Sequence, residues 1–179
     1  MTQDVTFSPQ HRLERIWSLL RMEDSAKLDM AIKYCTNEYA ANLLPAIEEW
    51  EKATDLIVER ERQLHELERF EKLGSDPNRF FVKGFRGSSA ARLGEALHRD
   101  SIYKVIDGIQ ARLEVVLTTI QRRFRDTIAY NGRNYLEKMK WDRVEMLHAL
   151  TEERRMKYFR QEIRAKQLKV SLAELQSTF

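Results

Sequence analysis

Apolar residues recur along this chain at helical spacing, in stretches separated by short polar or glycine-bearing breaks. Ser8-Pro9 places a capping hydroxyl before a proline at the first helical position, and Leu13, Ile16, Trp17 and Leu20 then share a face. After a break at Met22-Glu23-Asp24-Ser25, Leu28, Ala31, Ile32 and Cys35 resume the spacing. Leu43, Trp50, Ile57 and Leu64 stand seven apart, with Ile47, Leu67 and Phe70 beside them, a pattern that packs along neighbouring helices. Pro45 lies near the start of this helix, where its missing N–H is tolerated.

The segment from Gly74 to Ser89 interrupts the pattern: it holds three of the six glycines and an Asp76-Pro77 pair. Helical spacing returns through Leu93, Leu97, Ile102, Val105, Ile106 and Ile109 and continues to Phe124. The weak run Thr127–Tyr130 is the one strand candidate, and Asn131-Gly132 is a tight-turn signal. A last helix carries Tyr135, Leu136, Met139, Val144, Leu147 and Leu150 and fades into a basic run. Three long helices with one loop and one turn between them predict an all-α antiparallel three-helix bundle over residues 42–160. Residues 1–41 read as a helical lead-in, and 161–179 as a basic helical extension.

Composition supports long solvated helices: 33% of residues are charged, while glycine and proline number 6 and 3. The net charge of +3 conceals an asymmetry, −6 over residues 1–78 against +4 over 79–104 and +7 over 122–170. A polyanionic partner is therefore expected to meet the back half. No run approaches the roughly 18–20 apolar residues of a membrane span. The start of the chain lacks the pattern of a signal peptide, and a lone cysteine permits no internal disulfide. A cytoplasmic setting is expected.

Catalytic chemistry has no visible foothold. His11, His65, His98 and His148 are scattered, without the spacing of a metal site. Cys35 stands among apolar helical positions and is expected to be a buried structural thiol. The glycines of Lys83–Gly87 lack the strand-before, helix-after context of a phosphate cradle. A non-enzyme with no cofactor and no metal is the expectation. Trp17, Trp50 and Trp141 are expected in the core. Phe80, Phe81 and Phe85 stand among basic residues in the irregular loop, placed either to pin that loop or to hold cations toward a partner. The candidate binding surface is Arg79, Lys83, Arg86, Arg92, Arg99 and Lys104, opposed in that stretch by Glu95 and Asp100 alone.

The string Phe70, Ser75-Asp76-Pro77, Arg79-Phe80 and Arg86-Gly87 resembles the loop of the anaphase spindle elongation / protein regulator of cytokinesis family of antiparallel microtubule crosslinkers. Leu93, Glu95 and Arg99 are similar to the helix that follows it there, and Tyr130-Asn131-Gly132 with Tyr135 to the turn into the last helix. Upstream, Trp17 and the segment from Glu38-Tyr39 to Leu43-Leu44 add to the likeness. The resemblance implies a spectrin-like microtubule-binding module whose basic loop and next helix face tubulin. Arg86 is the best match to a contact residue, with Arg99 after it. It further implies microtubule bundling at the spindle midzone or in an axoneme, kinesin or other midzone partners, and dimerisation through an N-terminal rod. No membrane and no specific nucleic acid are expected as partners. The competing expectation is a structural helical scaffold, axonemal or spectrin-like, with no direct tubulin contact.

Overall fold

The computed structural model describes residues 8–81 and 87–177, with side chains as far as Lys169. It is all-α, as the periodicity predicts, with one small hairpin. Helix α1 spans Pro9–Leu20. Its Ser8 hydroxyl accepts from the His11 N–H at 3.3 Å, with Pro9 in the first turn as its sequence signal requires. It ends where Arg21 turns left-handed at φ 52°. Helix α2 covers Asp24–Cys35, and a 3-10 turn at Ala40–Asn42 leads into α3, Leu43–Gly74. A second 3-10 turn, Pro77–Phe81, precedes α4, Ser89–Phe124, which is capped by Ser88 accepting from the Ala91 N–H at 3.2 Å. Helix α5 runs from Tyr135 to Ser177.

Side-chain pairs fix how these helices lie. Arg99 reaches Glu71, and Arg60 reaches Gln110, so a step forward along α3 is a step back along α4. The two are antiparallel. Arg12 binds Glu51 and Arg15 binds Asp55, so α1 runs beside α3 in the same direction. Apolar burial then concentrates at one end of the α3–α4 pair. There Ile16 and Leu20 of α1 meet Ile47, Trp50 and Ile57 of α3 and Leu113, Ile120 and Phe124 of α4. Trp50 is wholly buried and stacks edge-on to Tyr34 of α2, with ring centroids 5.2 Å apart. Its indole N–H has no hydrogen-bond partner among the described residues, a cost that the surrounding burial must exceed.

The turn signal at Asn131-Gly132 closes a two-residue hairpin, β1 (Ala129–Tyr130) against β2 (Arg133–Asn134). Both turn residues have positive φ, 51° and 77°, the combination that a two-residue hairpin of matching twist demands. The hairpin is anchored on α1: the Asn131 N–H donates to the Leu20 carbonyl at 2.9 Å, satisfying a helix-end acceptor. A Cβ at Gly132 would stand 3.0 Å from a Glu23 carboxylate oxygen. Glycine therefore serves both backbone freedom and clearance here.

The described chain divides into two units, one up to Lys140 and one from Trp141 onward. In the first, the main packing is α3 on α4 and α1 on α3, completed by Tyr34, Tyr135 and Met139. Helix α1 thus belongs to the core-forming set, although its sequence segment reads as a lead-in. The all-α class follows from these helices; a spectrin-like order of three long helices does not. The second unit is the continuation of α5 alone.

Burial also departs from the periodicity at specific positions. Leu28, Ile32, Leu93, Leu97 and Val105 are exposed, as are Cys35 and Trp141. Helix α4 carries two apolar stripes, and Ile102, Ile106, Ile109, Leu113, Leu117 and Ile120 form the one that turns inward. Spacing identifies both stripes but cannot say which has a neighbour.

Candidate interaction surface

The basic segment expected to bind outward is partly occupied with holding the α3–α4 connection together. Arg79 in the 3-10 turn lies 2.8 Å from a Glu95 carboxylate oxygen, and its guanidinium stands 4.8 Å from the centre of the Phe80 ring. Arg92 approaches the same ring at 5.6 Å, so Phe80 gathers a cation from the turn and another from α4. Arg99 donates from Nε to Glu71 at 2.5 Å and lies 5.2 Å from the Phe70 ring. The Glu71 carboxylate is almost fully buried, and its hydrogen bond holds the Arg99 guanidinium above its ordinary pKa. Lys104 is exposed on α4. Lys83, Arg86 and Phe85 lie outside the described residues.

A cation already paired with a carboxylate offers little net field to a second anion. Of the four described members of the basic set, Arg79 and Arg99 are paired in this way. Arg92 and Lys104 keep their charge outward, so the surface is weaker than the sequence count of +4 implies. Phe80 thus lies between a cation of the turn and a cation of α4. Phe81 is the more exposed ring.

Two polar clusters that the sequence does not signal join distant elements. Lys33 donates to the Phe124 carbonyl at 2.6 Å, to the Arg125 carbonyl at 3.2 Å and to the Asp126 carboxylate. It thereby caps the C-terminus of α4 with a positive charge, where helix-end acceptors and the macrodipole both favour one. The Tyr34 hydroxyl donates to the other Asp126 oxygen at 2.5 Å; burial, then this carboxylate, pushes its phenol pKa well up. In the second cluster Arg60, fully buried, donates to the Tyr135 hydroxyl at 3.3 Å, and that hydroxyl donates to Glu61 at 2.9 Å. Lys138 completes it with a 2.7 Å bond to Glu61. Burial and the Glu61 charge raise the Tyr135 phenol pKa. These partners lie tens of residues apart in sequence, so no local pattern announces them.

Among the described residues no group of three or more His, Cys, Asp or Glu is disposed to hold a metal ion. No helix there is long and apolar enough to cross a membrane. What the described surface does offer is exposed apolar side chains along its helices. In the second unit Trp141, Val144, Met156, Phe159 and Ile163 are exposed along α5. Met156 and Ile163 stand seven apart with Phe159 between them, the spacing of a coiled-coil seam. In the first unit Leu93 and Leu97, near the start of α4, and Val115, farther along it, are also exposed.

Comparison with known proteins places this chain beside proteins named for coiled coils. It is 37% identical over 148 residues to Coiled-coil domain-containing protein 87 of Mus musculus, an alignment covering 83% of this chain and 17% of that protein. The protein of the same name from Homo sapiens is 37% identical over 151 residues, covering 84% of this chain and 18% of its own length. The chain thus spans less than a fifth of the length of the curated relatives it matches. No family model matches it, and no solved structure does. These relatives overturn the resemblance to the antiparallel microtubule crosslinkers. That resemblance rested on a short loop string and helical spacing, which unrelated helical proteins reach independently. The similarity to the coiled-coil proteins extends over most of the chain, and a helical bundle is what the two lines of observation share.

Proposed function

We propose that this chain is a non-catalytic helical scaffold segment of a longer coiled-coil protein, working by presenting helix faces to other helices. The observation that carries this reading is the exposure of Met156, Phe159 and Ile163 at seam spacing on α5. A lone helix in water draws little stability from propensity and gains most from burying such a face. Each of these side chains is about half exposed, so covering the remainder would contribute about 1 kcal/mol. The polar clusters of the first unit agree with a structural task, since they tie helices to one another. Lysine cross-linking in cells, followed by peptide mapping, tests the reading. Links from Lys157 or Lys166 to helical segments outside these 179 residues are expected. Links confined to this chain would overturn it.

A second reading, binding to the acidic surface of microtubules, is favoured by one observation, the outward charge of Arg92 and Lys104 at the start of α4. Exposed cations of this kind contribute weakly and fade with salt. Co-sedimentation with microtubules should then fall several-fold in Arg92→Glu/Lys104→Glu and decline steadily with ionic strength. Arg99 is a poor probe, because reversing it sets a second carboxylate against buried Glu71. Pelleting that is absent, or unmoved by the double change, removes this reading.

A further inference from the structure

Helix α5 reverses its charge partway along. From Trp141 to Glu153 it carries four acidic residues and one arginine, net −3; from Arg154 to Lys169 it carries seven Lys/Arg and one glutamate, net +6. An exposed apolar stripe lies just past the reversal, where Met156, Phe159 and Ile163 are 49%, 44% and 55% exposed. With Met156 and Ile163 as a positions and Phe159 as d, the next d positions on either side are Glu152 and Lys166. The apolar seam is therefore only about two turns long. So short a core gives little affinity alone and leaves orientation to the charges around it.

Those charges select one arrangement. Two copies of α5 side by side in parallel would set Glu152 on Glu152, Lys166 on Lys166, and Arg155 at g against Arg160 at e. Turned antiparallel, with Met156 facing Phe159 of the other helix, all three clashes disappear. Arg155 then meets Glu162, Glu153 meets Arg160, and the two-fold axis forms each pair twice. Glu152 faces Ile163, with Lys166 of that same helix one turn on. Within the chain Arg155 lies 3.7 Å from Glu152 and 5.7 Å from the centre of the Phe159 ring, and Glu162 accepts from Tyr158 at 3.1 Å. These are exposed contacts along one helix, exchanged at little cost. A foreign acidic helix would answer Arg155 and Arg160 but set its charge against Glu153 and Glu162; a second copy answers all four.

We propose that α5 pairs antiparallel with α5 of a second copy of this chain, through Met156, Phe159 and Ile163, with direction set by Glu153–Arg160 and Arg155–Glu162. The facing residues, 152–166, all lie in the second unit. This inference rests on the scaffold reading above, in that α5 works by packing on other helices, and names the occupant of its seam. Val144, Leu147, Tyr158 and Leu168, exposed on the opposite side of α5, stay available to helices from outside these 179 residues.

Sedimentation velocity of the full chain across micromolar concentrations should show a monomer–dimer equilibrium. Phe159→Glu enters the seam twice and should abolish the dimer at unchanged helicity, since the position is exposed. Arg160→Glu separates the two directions. In the antiparallel pair it sets glutamate on Glu153 and should weaken association several-fold; in a parallel pair it would relieve the clash with Arg155 and strengthen it. Adding Glu153→Arg to the same chain should restore the wild-type affinity. A chain monomeric throughout, a dimer unmoved by Phe159→Glu, a dimer strengthened by Arg160→Glu, or a double variant as weak as the single would overturn the proposal. A monomeric chain whose Lys157 or Lys166 still cross-links to outside segments would sink this inference alone. A dimer that forms without any such link would sink the wider scaffold reading alone.

Discussion

At the end of the α3–α4 pair that holds Trp50 and Phe124, side chains from all five helices and the segment around Ile128 enter one apolar core. At the other end, toward Gly74 and Ser89, the pair has Leu64, Leu67, Ile102 and Ile106 as its buried apolar residues, with Glu71–Arg99 and Arg79–Glu95 as its ties. The first end is closed by many weak contacts whose losses are shared. The second depends on a few polar links, one of them formed on a nearly buried carboxylate. Contact density of this kind sets where a native protein opens first. Two of the arginines concentrated beside the loop, Arg79 and Arg99, are thus engaged in closing this end of the pair.

The largest contrast should come from Trp50→Ala. Removing a fully buried indole from the dense end should cost about 3–5 kcal/mol. Its stacking on Tyr34 goes with it, so α2 should loosen as well. Urea unfolding followed by circular dichroism measures the loss. A change below about 1 kcal/mol would mean the core re-closes around the gap, and the dense end would not be the stability centre.

Arg99→Ala should rank next, at about 2–4 kcal/mol, because it takes a charged hydrogen-bond donor away from the buried Glu71 carboxylate. Here location matters as much as size. Hydrogen exchange should accelerate in the amides near Glu71 and Arg99 and stay unchanged around Trp50. Replacing both partners, Glu71→Leu with Arg99→Leu, should recover most of the loss. Uniform acceleration across both ends would erase the distinction between them.

Much of this architecture is legible in the sequence. Ser8-Pro9 sets the first helix, the seven-residue ladder from Leu43 to Leu64 sets α3, and Asn131-Gly132 sets the hairpin. Each is a local signal, with cause and effect a few residues apart. The misplaced residues are of another kind. Leu93 and Leu97 have the spacing of a buried stripe, and Cys35 and Trp141 are residue types that favour interiors, yet all four are exposed. Periodicity reports that a helix has an apolar face, while only the arrangement of the other helices decides whether that face is covered. The same limit hides the site chemistry. That Arg79 and Arg99 belong to Glu95 and Glu71, or that Lys33 caps α4 from α2, depends on contacts across the fold.

Gly132→Ala tests the hairpin that seals the dense end. The residue sits at φ 77°, where an L side chain is strained, and its Cβ would crowd Glu23. A flexible carboxylate can move, so conformation should dominate, at about 1–2 kcal/mol. The loss should appear with weakened protection at Asn131, whose N–H binds the Leu20 carbonyl. A neutral substitution would show that the dense end holds without an intact turn.

The smallest effect expected at the dense end lies on its rim, where Arg12 grips Glu51 through Nε at 2.9 Å and Nη2 at 2.6 Å. Both side chains are about a quarter exposed, so solvent screens the pair and its contribution should be only about 0.5–1 kcal/mol. Its pH dependence is nonetheless diagnostic. The hydrogen bond from Arg12 lowers the Glu51 pKa in the folded protein, which makes the native state the weaker proton binder. The stabilisation is therefore complete above the ordinary glutamate range and is lost as pH falls through the depressed folded value, while Arg12 stays charged throughout. The difference in melting temperature between wild type and Glu51→Gln should accordingly be present near neutrality and vanish in acid. A difference that persists at low pH would assign the effect of the substitution to packing rather than to the ion pair.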